Sequence, residues 1–349
     1  MNQLNARIEA VDHSWLEKAA ARQLTLTKPP GSLGRLEEIA NRLAAIQQTI
    51  TPKVSRKRIY VVAADHGVTV EGVSAFPRDV TAQMVDNFLD GGAAINVLAR
   101  HGDIDVKVVD AGVDAGLSTR ANLIHVKTLR GTENFARGPA MSRVEARRLV
   151  SAGIELARAA HAADGVELLG VGEMGIGNTT AASAITAALL RDDAASYTDR
   201  GTGIDDPGLA RKVEVIRKSL AVNNPDANDP VDVLSKVGGA EIAVMMGIVI
   251  GGAINHTAVV ADGFISTAAT ALAVSLCPSA RGYLFLAHRS VERGHAALIG
   301  LLGLEPLLDL KMRLGEGTGA ALAMHIIDAA ARLLSEMSTF TEANVSDKA

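Results

Sequence analysis

The sequence predicts an α/β protein: a mainly parallel sheet with helices on both faces, between helical chain ends. Three observations carry this. From about residue 57, short apolar runs alternate with segments of helical length and period, the pattern of a covered parallel sheet. The first fifty residues are helical in pattern instead, with apolar positions at three- and four-residue spacing. The chain is also 349 residues long and 48% hydrophobic, which is ample for a large buried core.

In order along the chain, Leu4–Leu24 and Leu33–Ile46 read as helices. Thr27-Lys28-Pro29-Pro30-Gly31-Ser32 between them reads as a rigid extended link. Five runs read as strands: Ile59–Ala64, Ile104–Val109, Val166–Val171, Thr257–Val260 and Tyr283–Leu286. Ala181–Leu190 reads as a helix, and Ile242–Ile254 as a buried one. The polar tail after Thr341 is expected to fray.

The short strings at the strand ends are more telling than the strands. Asp65-His66-Gly67, Asp110-Ala111-Gly112, Gly172-Glu173-Met174-Gly175, Ala261-Asp262-Gly263 and Ala287-His288-Arg289 end the five runs in turn. Ligands of open parallel sheets bind beyond the carboxyl ends of the strands. Any one of these strings could be a turn; five together point to a rim site.

Composition narrows the function. Net charge is −4, and no basic run is longer than Arg56-Lys57-Arg58, so nothing suggests a nucleic-acid surface. The apolar stretch Ile242–Ile254 is too short for the roughly 20 residues of a membrane span. Met1-Asn2-Gln3-Leu4 lacks a signal pattern, so a soluble, cytoplasmic protein is expected. The lone cysteine, Cys277, reads as a small buried hydrophobe. His66, His288 and His295 have no metal-ligand spacing and read as structural or rim histidines; no metal is expected.

Two glycine loops carry the chemistry. Gly170-Val171-Gly172-Glu173-Met174-Gly175-Ile176-Gly177-Asn178-Thr179-Thr180 leaves a strand and opens a helix. Backbone N–H groups at such a start form an anion site; a tight turn capped by Asn178 or Thr179 is the plainer reading. It is neither an in-register dinucleotide fingerprint nor a Walker loop. Leu314-Gly315-Glu316-Gly317-Thr318-Gly319-Ala320 sets one carboxylate among glycines before a second helix. A helix start stabilises a carboxylate anion and weakens it as a base, so Glu316 needs burial to raise its pKa. The simplest division puts phosphate at Gly175–Thr180 and a proton-accepting task at Glu316. Lys212, early in a helix, reads as a solvated lysine or as a phosphate or carboxylate partner. Ser74–Met84 offers an aromatic, apolar residues and an amide that could line a flat heteroaromatic ligand or pack in the core.

Together these strings resemble one family, the nicotinate-nucleotide–dimethylbenzimidazole phosphoribosyltransferases of cobalamin lower-ligand synthesis. The resemblance rests on Thr27–Gly34, Ala64–Val68, Gly91–Asn96, Gly172–Thr180, Asp262–Phe264 and Leu314–Ala320, spread over nearly the whole chain. It departs at Arg293, where the family pattern has proline. It implies a Rossmann-like, parallel-sheet nucleotide-binding domain of about 51–304, a small helical domain of residues 1–50 with about 305–349 drawn from the N- and C-terminal segments, and a homodimer. It implies transfer of the 5-phosphoribosyl group of nicotinate mononucleotide to 5,6-dimethylbenzimidazole, releasing nicotinate, with no cofactor. Glu316 would be the general base. Glu173, Gly175 and Lys212 would contact the nucleotide, Ser74, Phe76, Gln83 and Met84 would line the acceptor pocket, and Gly177, Asn178, Thr179, Gly315 and Gly317 would also bind substrate. Two other readings stay open: a nucleotide-dependent oxidoreductase or kinase, and a non-catalytic nucleotide sensor.

Overall fold

Six parallel strands form one sheet in the order β3-β2-β1-β4-β5-β6: β1 Lys57–Ala64, β2 Ile104–Gly112, β3 Leu123–His125, β4 Leu168–Met174, β5 Ala258–Ala261 and β6 Leu284–Leu286. The computed structural model describes residues 8–117, 120–201 and 203–346. Strand β1 is central; Val61 pairs with Val108 of β2 and with Gly172 of β4. Its residues Ile59–Ala64 are buried, as a strand covered on both faces requires. The order reverses direction between β1 and β4, the place where a crevice opens in such sheets.

Twelve α-helices are described: α1 His13–Thr25, α2 Arg35–Gln47, α3 Val80–Asp90, α4 Ala94–Gly102, α5 Arg143–Ala162, α6 Asn178–Leu190, α7 Asp206–Asn223, α8 Pro230–Val237, α9 Ala240–Ile254, α10 Phe264–Leu276, α11 Arg293–Leu302 and α12 Thr318–Glu336. They cover both faces. Side chains alternate along β4: Leu169 meets Gly252 of α9, and Gly170 meets Ala320 and Met324 of α12. Helix α9 is buried from Ala240 to Ala253, which explains its unbroken apolar run. The chain ends meet at the antiparallel bridge Leu26–Thr339, where Arg22 Nε donates to the Leu334 carbonyl (2.8 Å). Among the described residues no helix is long and apolar enough to cross a membrane.

Several expectations shift. Helix α1 starts at His13 because Asp12 caps it, accepting from Ser14 N (2.9 Å); residues 4–7 of the expected helix lie outside the described residues. The segment before α2 is turned rather than extended, with Ser32 N bonded to the Pro29 carbonyl (3.1 Å) and Gly34 N to that of Gly31 (3.0 Å). Strand β2 runs on to Gly112, and β4 lies later than Val166–Val171, so Glu173 is inside the strand. Strand β3 was not foreseen. Past Thr341 the chain forms a bonded turn (Val345 N to Phe340 O, 3.0 Å) rather than a frayed end; residues 347–349 lie outside the described residues. Burial raises the Cys277 thiol to about 11, in keeping with a packed hydrophobe.

Candidate active site

The two glycine loops lie against each other at the carboxyl end of β4. Glu316 N donates to the Glu173 carbonyl (3.2 Å). Gly172 is packed so closely on Gly317 that an added Cβ would sit 2.5 Å from Gly317 Cα. Gly315, Glu316 and Gly317 have φ of 86°, 63° and 87°. Three successive left-handed residues cannot extend a helix, and one of them carries a side chain, which costs about 1–2 kcal/mol. Strain of this kind persists where the surroundings fix it, often at functional sites. Thr318 closes the turn by donating its Oγ1 to the Gly315 carbonyl (2.8 Å).

These loops border a cavity of about 610 Å³. Of the residues singled out in the sequence, Phe76, Met84, Glu173, Gly175, Asn178, Thr179, Gly315 and Glu316 line it. Its apolar wall adds Val80, Phe264, Ile265 and Leu314. Gly177 and Gly317 stand behind, as the N-caps of α6 and α12, with φ of 96° and 87°. The expected cap of α6, Asn178 or Thr179, is therefore displaced by Gly177, and no side chain caps that helix. Asn178 Nδ2 turns to the Glu173 carboxylate, and Lys212 Nζ donates to Thr179 Oγ1 (2.9 Å) and the Asp199 carbonyl (3.1 Å). Lys212 is 1% exposed, so its solvated reading fails. Ser74 Oγ accepts from Phe76 N (3.2 Å), but Ser74 is not among the residues lining the cavity. Gln83 lies instead in a neighbouring pocket with Asp65, Arg78 and Asp114.

Charge inside the site is unusual. Glu316 is 6% exposed, and its Oε2 accepts only a long bond from Ile95 N (3.4 Å). Burial raises its pKa above the ordinary carboxylate value; the Ile95 N–H opposes this and Asp262 adds to it. Burial, then Glu241 and Asp262, push Glu173 well above that value. Burial lowers Lys212 to about 8, with Glu292 and Asp199 partly opposing it. One buried carboxylate with a raised pKa thus lines the cavity, and one buried lysine lies behind its Thr179 wall.

The helix start beside Glu316 is not open to it. Asp262, at the end of β5, accepts from Gly317 N (3.1 Å) and Ala320 N (2.9 Å). The sequence marked Asp262 and His288 as rim residues without assigning them to the site; His288 lines the cavity. Glu292 and Arg313 also line it and were missed; isolated charged residues in loops give no local signal. His66 and His295 are packed in place: His66 Nε2 meets Glu241 Oε1 (2.6 Å), and His295 Nε2 meets Thr267 Oγ1 (3.0 Å). Burial lowers His295 to about 3, so it stays neutral and its Nδ1 accepts from Ser290 N (2.9 Å). Arg293 takes the first position of α11 without interrupting it. Among the described residues no group of three or more histidine, cysteine or acidic side chains is arranged to hold a metal ion.

A phosphoribosyltransferase family model matches residues 8–345. The nicotinate-nucleotide–dimethylbenzimidazole phosphoribosyltransferase of Geobacter metallireducens is 56% identical, over 97% of this chain and 96% of that protein. That of Geotalea uraniireducens is 54% identical, over 98% of this chain and 97% of its own. The crystal structure of CobT from Thermus thermophilus superposes with a TM-score of 0.92 at 48% identity, covering 96% of this chain and 100% of that one. With a match spanning nearly its whole length, this chain belongs to the nicotinate-nucleotide–dimethylbenzimidazole phosphoribosyltransferase family.

Proposed function

We propose that the protein transfers the 5-phosphoribosyl group of nicotinate mononucleotide to 5,6-dimethylbenzimidazole. The products are nicotinate and α-ribazole 5′-phosphate, for the lower ligand of cobalamin. The observation that carries this reading is a buried Glu316 with a raised pKa on a cavity that Thr179 also lines, with Lys212 buried behind Thr179 and bonded to it.

The phosphate is placed at the start of α6, where backbone N–H groups lack a side-chain cap and favour an anion. Thr179 brings the Lys212 ammonium there. The acceptor is placed against Phe76, Val80, Met84 and Leu314. Glu173, Gly175, Asn178 and Gly315 support the nucleotide between them, with Gly177 and Gly317 fixing the two loops.

One ring nitrogen of the acceptor attacks the anomeric carbon as the bond to the pyridinium nitrogen breaks and its electron pair leaves with nicotinate. Attack from the opposite face inverts that carbon. The second ring nitrogen then carries an acidic N–H, and Glu316 takes that proton. A positioned carboxylate gives about 10²–10⁴-fold here; holding both rings on opposite faces of the ribose adds an orientation gain.

The protein is further taken to act in the cytoplasm as a homodimer. Residues 1–50 with about 305–349 are taken as a small helical domain beside the α/β domain. Incubation with both substrates, followed by chromatography and ³¹P NMR, tests the reaction. Equimolar nicotinate and α-ribazole 5′-phosphate are expected. Absence of nicotinate release with any acceptor base would sink the transferase reading, and reduction of a nicotinamide cofactor would favour an oxidoreductase.

A further inference from the structure

We propose that Asp262 is the positioning residue of Glu316: from the end of β5 its carboxylate gathers the N–H groups that open α12 and so fixes the loop carrying the base. The inference rests on the proposed reaction and deepens it. Helix α12 has Gly317 at its N-cap and no side-chain cap of its own. Its N-terminal N–H groups need an acceptor, and the carboxylate next to them along the chain is Glu316 itself. A helix start draws carboxylates and stabilises them as anions. Left without Asp262, that helix end would turn Glu316 into its cap and weaken it as a base.

The geometry prevents this. Asp262 Oδ2 takes Gly317 N at 3.1 Å and Oδ1 takes Ala320 N at 2.9 Å, so both oxygens are used. Asp262 is 1% exposed; an idle acid would not be buried there. The approach depends on Gly319, whose added Cβ would lie 2.7 Å from Asp262 Oδ1 and run into the His288 ring. His288 Nε2 stands 3.9 Å from Asp262 Oδ1. Glu316, released from α12, faces the cavity with its single long bond to Ile95 N.

The groups that share the cavity with Glu316 or bond its loop bear on the sign of the effect. They are Glu173 on β4, Asp262 after β5, His288 after β6, Glu292 before α11 and Arg313 on its own loop; α4 presents the Ile95 N–H. The Asp262 charge disfavours a second anion at Glu316 and so strengthens it as a base.

The test compares wild type with Asp262→Asn, which keeps the shape but loses the charge and one acceptor. The pH profile of kcat, the KM for nicotinate mononucleotide and the melting temperature are measured. The expected result is a plateau kcat lower by about tenfold or more, as a displaced and weaker base gives. The acid limb moves to lower pH, and KM stays within about threefold. An unmoved limb overturns the proposal, whatever happens to the melting temperature, because it leaves Asp262 with packing alone. Inactivity of the wild type removes the transferase reading itself, and this inference with it. Should the variant fail to fold, amide exchange of Gly317 and Ala320 in the wild type decides: protection equal to β4 supports the proposal, and exchange at open-loop rates overturns it.

Discussion

Replacing Gly172 with alanine tests how tightly the two loops are bound together. The new Cβ would lie 2.5 Å from Glu316 C and from Gly317 Cα, and closer still to Gly317 N, where ordinary contact begins at 3.4 Å. All three are backbone atoms, so no side chain can swing aside. Strand β4 cannot retreat either, because Gly172 is in register with Val61 of the central strand. The Glu316 loop must therefore withdraw by roughly 1 Å, a misplacement that costs about 10²-fold in rate. Overpacking of this kind costs about 1–3 kcal/mol of stability, a loss of a few degrees in melting temperature. The assay is nicotinate release at saturating substrates, with circular dichroism to confirm folding. A folded Gly172→Ala protein with kcat within about threefold of wild type would refute the reasoning, since it would show that the site tolerates a displaced base loop.

The buried charges support two more predictions. Glu316 must be ionised to accept a proton, and its pKa is raised, so kcat falls as pH drops through a value above the ordinary carboxylate range of about 4.3; a pH–kcat profile with its acid limb at or below that value counts against a buried base. Lys212 titrates near 8 in the free protein, so nicotinate mononucleotide binding weakens as pH rises past about 8, and Lys212→Met raises Kd by roughly 10–100-fold, the worth of a charge-assisted contact. Calorimetric titration at pH 7 and 9 reads both effects, and a pH-independent Kd unchanged in Lys212→Met removes Lys212 from the phosphate site.

How far the sequence led differs from one element to the next. The β-branched runs around Ile59 and Val259 were legible because fully buried parallel strands need continuous apolar residues, and the run at Ile104 because apolar residues alternate with Asp105 and Lys107 along a half-buried start. Strand β3 was not, since three residues at an edge owe their form to pairing with β2 rather than to their own pattern. The start of α1 was missed although Asp12 offered a cap, because apolar spacing upstream of it favoured a longer helix. In the site, glycine and acid strings after strands were visible as local patterns. Burial was not: Lys212 looks like any helix lysine until Thr179 and Asp199, 33 and 13 residues away, close over it. Nor could the sequence show that Asp262, rather than Glu316, serves the start of α12, for that depends on β5 and the last helix meeting across 55 residues.

The central claim is that Glu316 takes the proton of the attacking base, and Glu316→Gln tests it most directly. The substitution keeps size and removes the acceptor carboxylate. Single-turnover release of nicotinate from pre-bound nicotinate mononucleotide, with saturating 5,6-dimethylbenzimidazole, separates chemistry from binding. The account predicts a rate lower by roughly 10²–10⁴-fold, no acid limb in the pH profile and a nucleotide Kd within about threefold of wild type. A rate within threefold of wild type, with its acid limb intact, would contradict it.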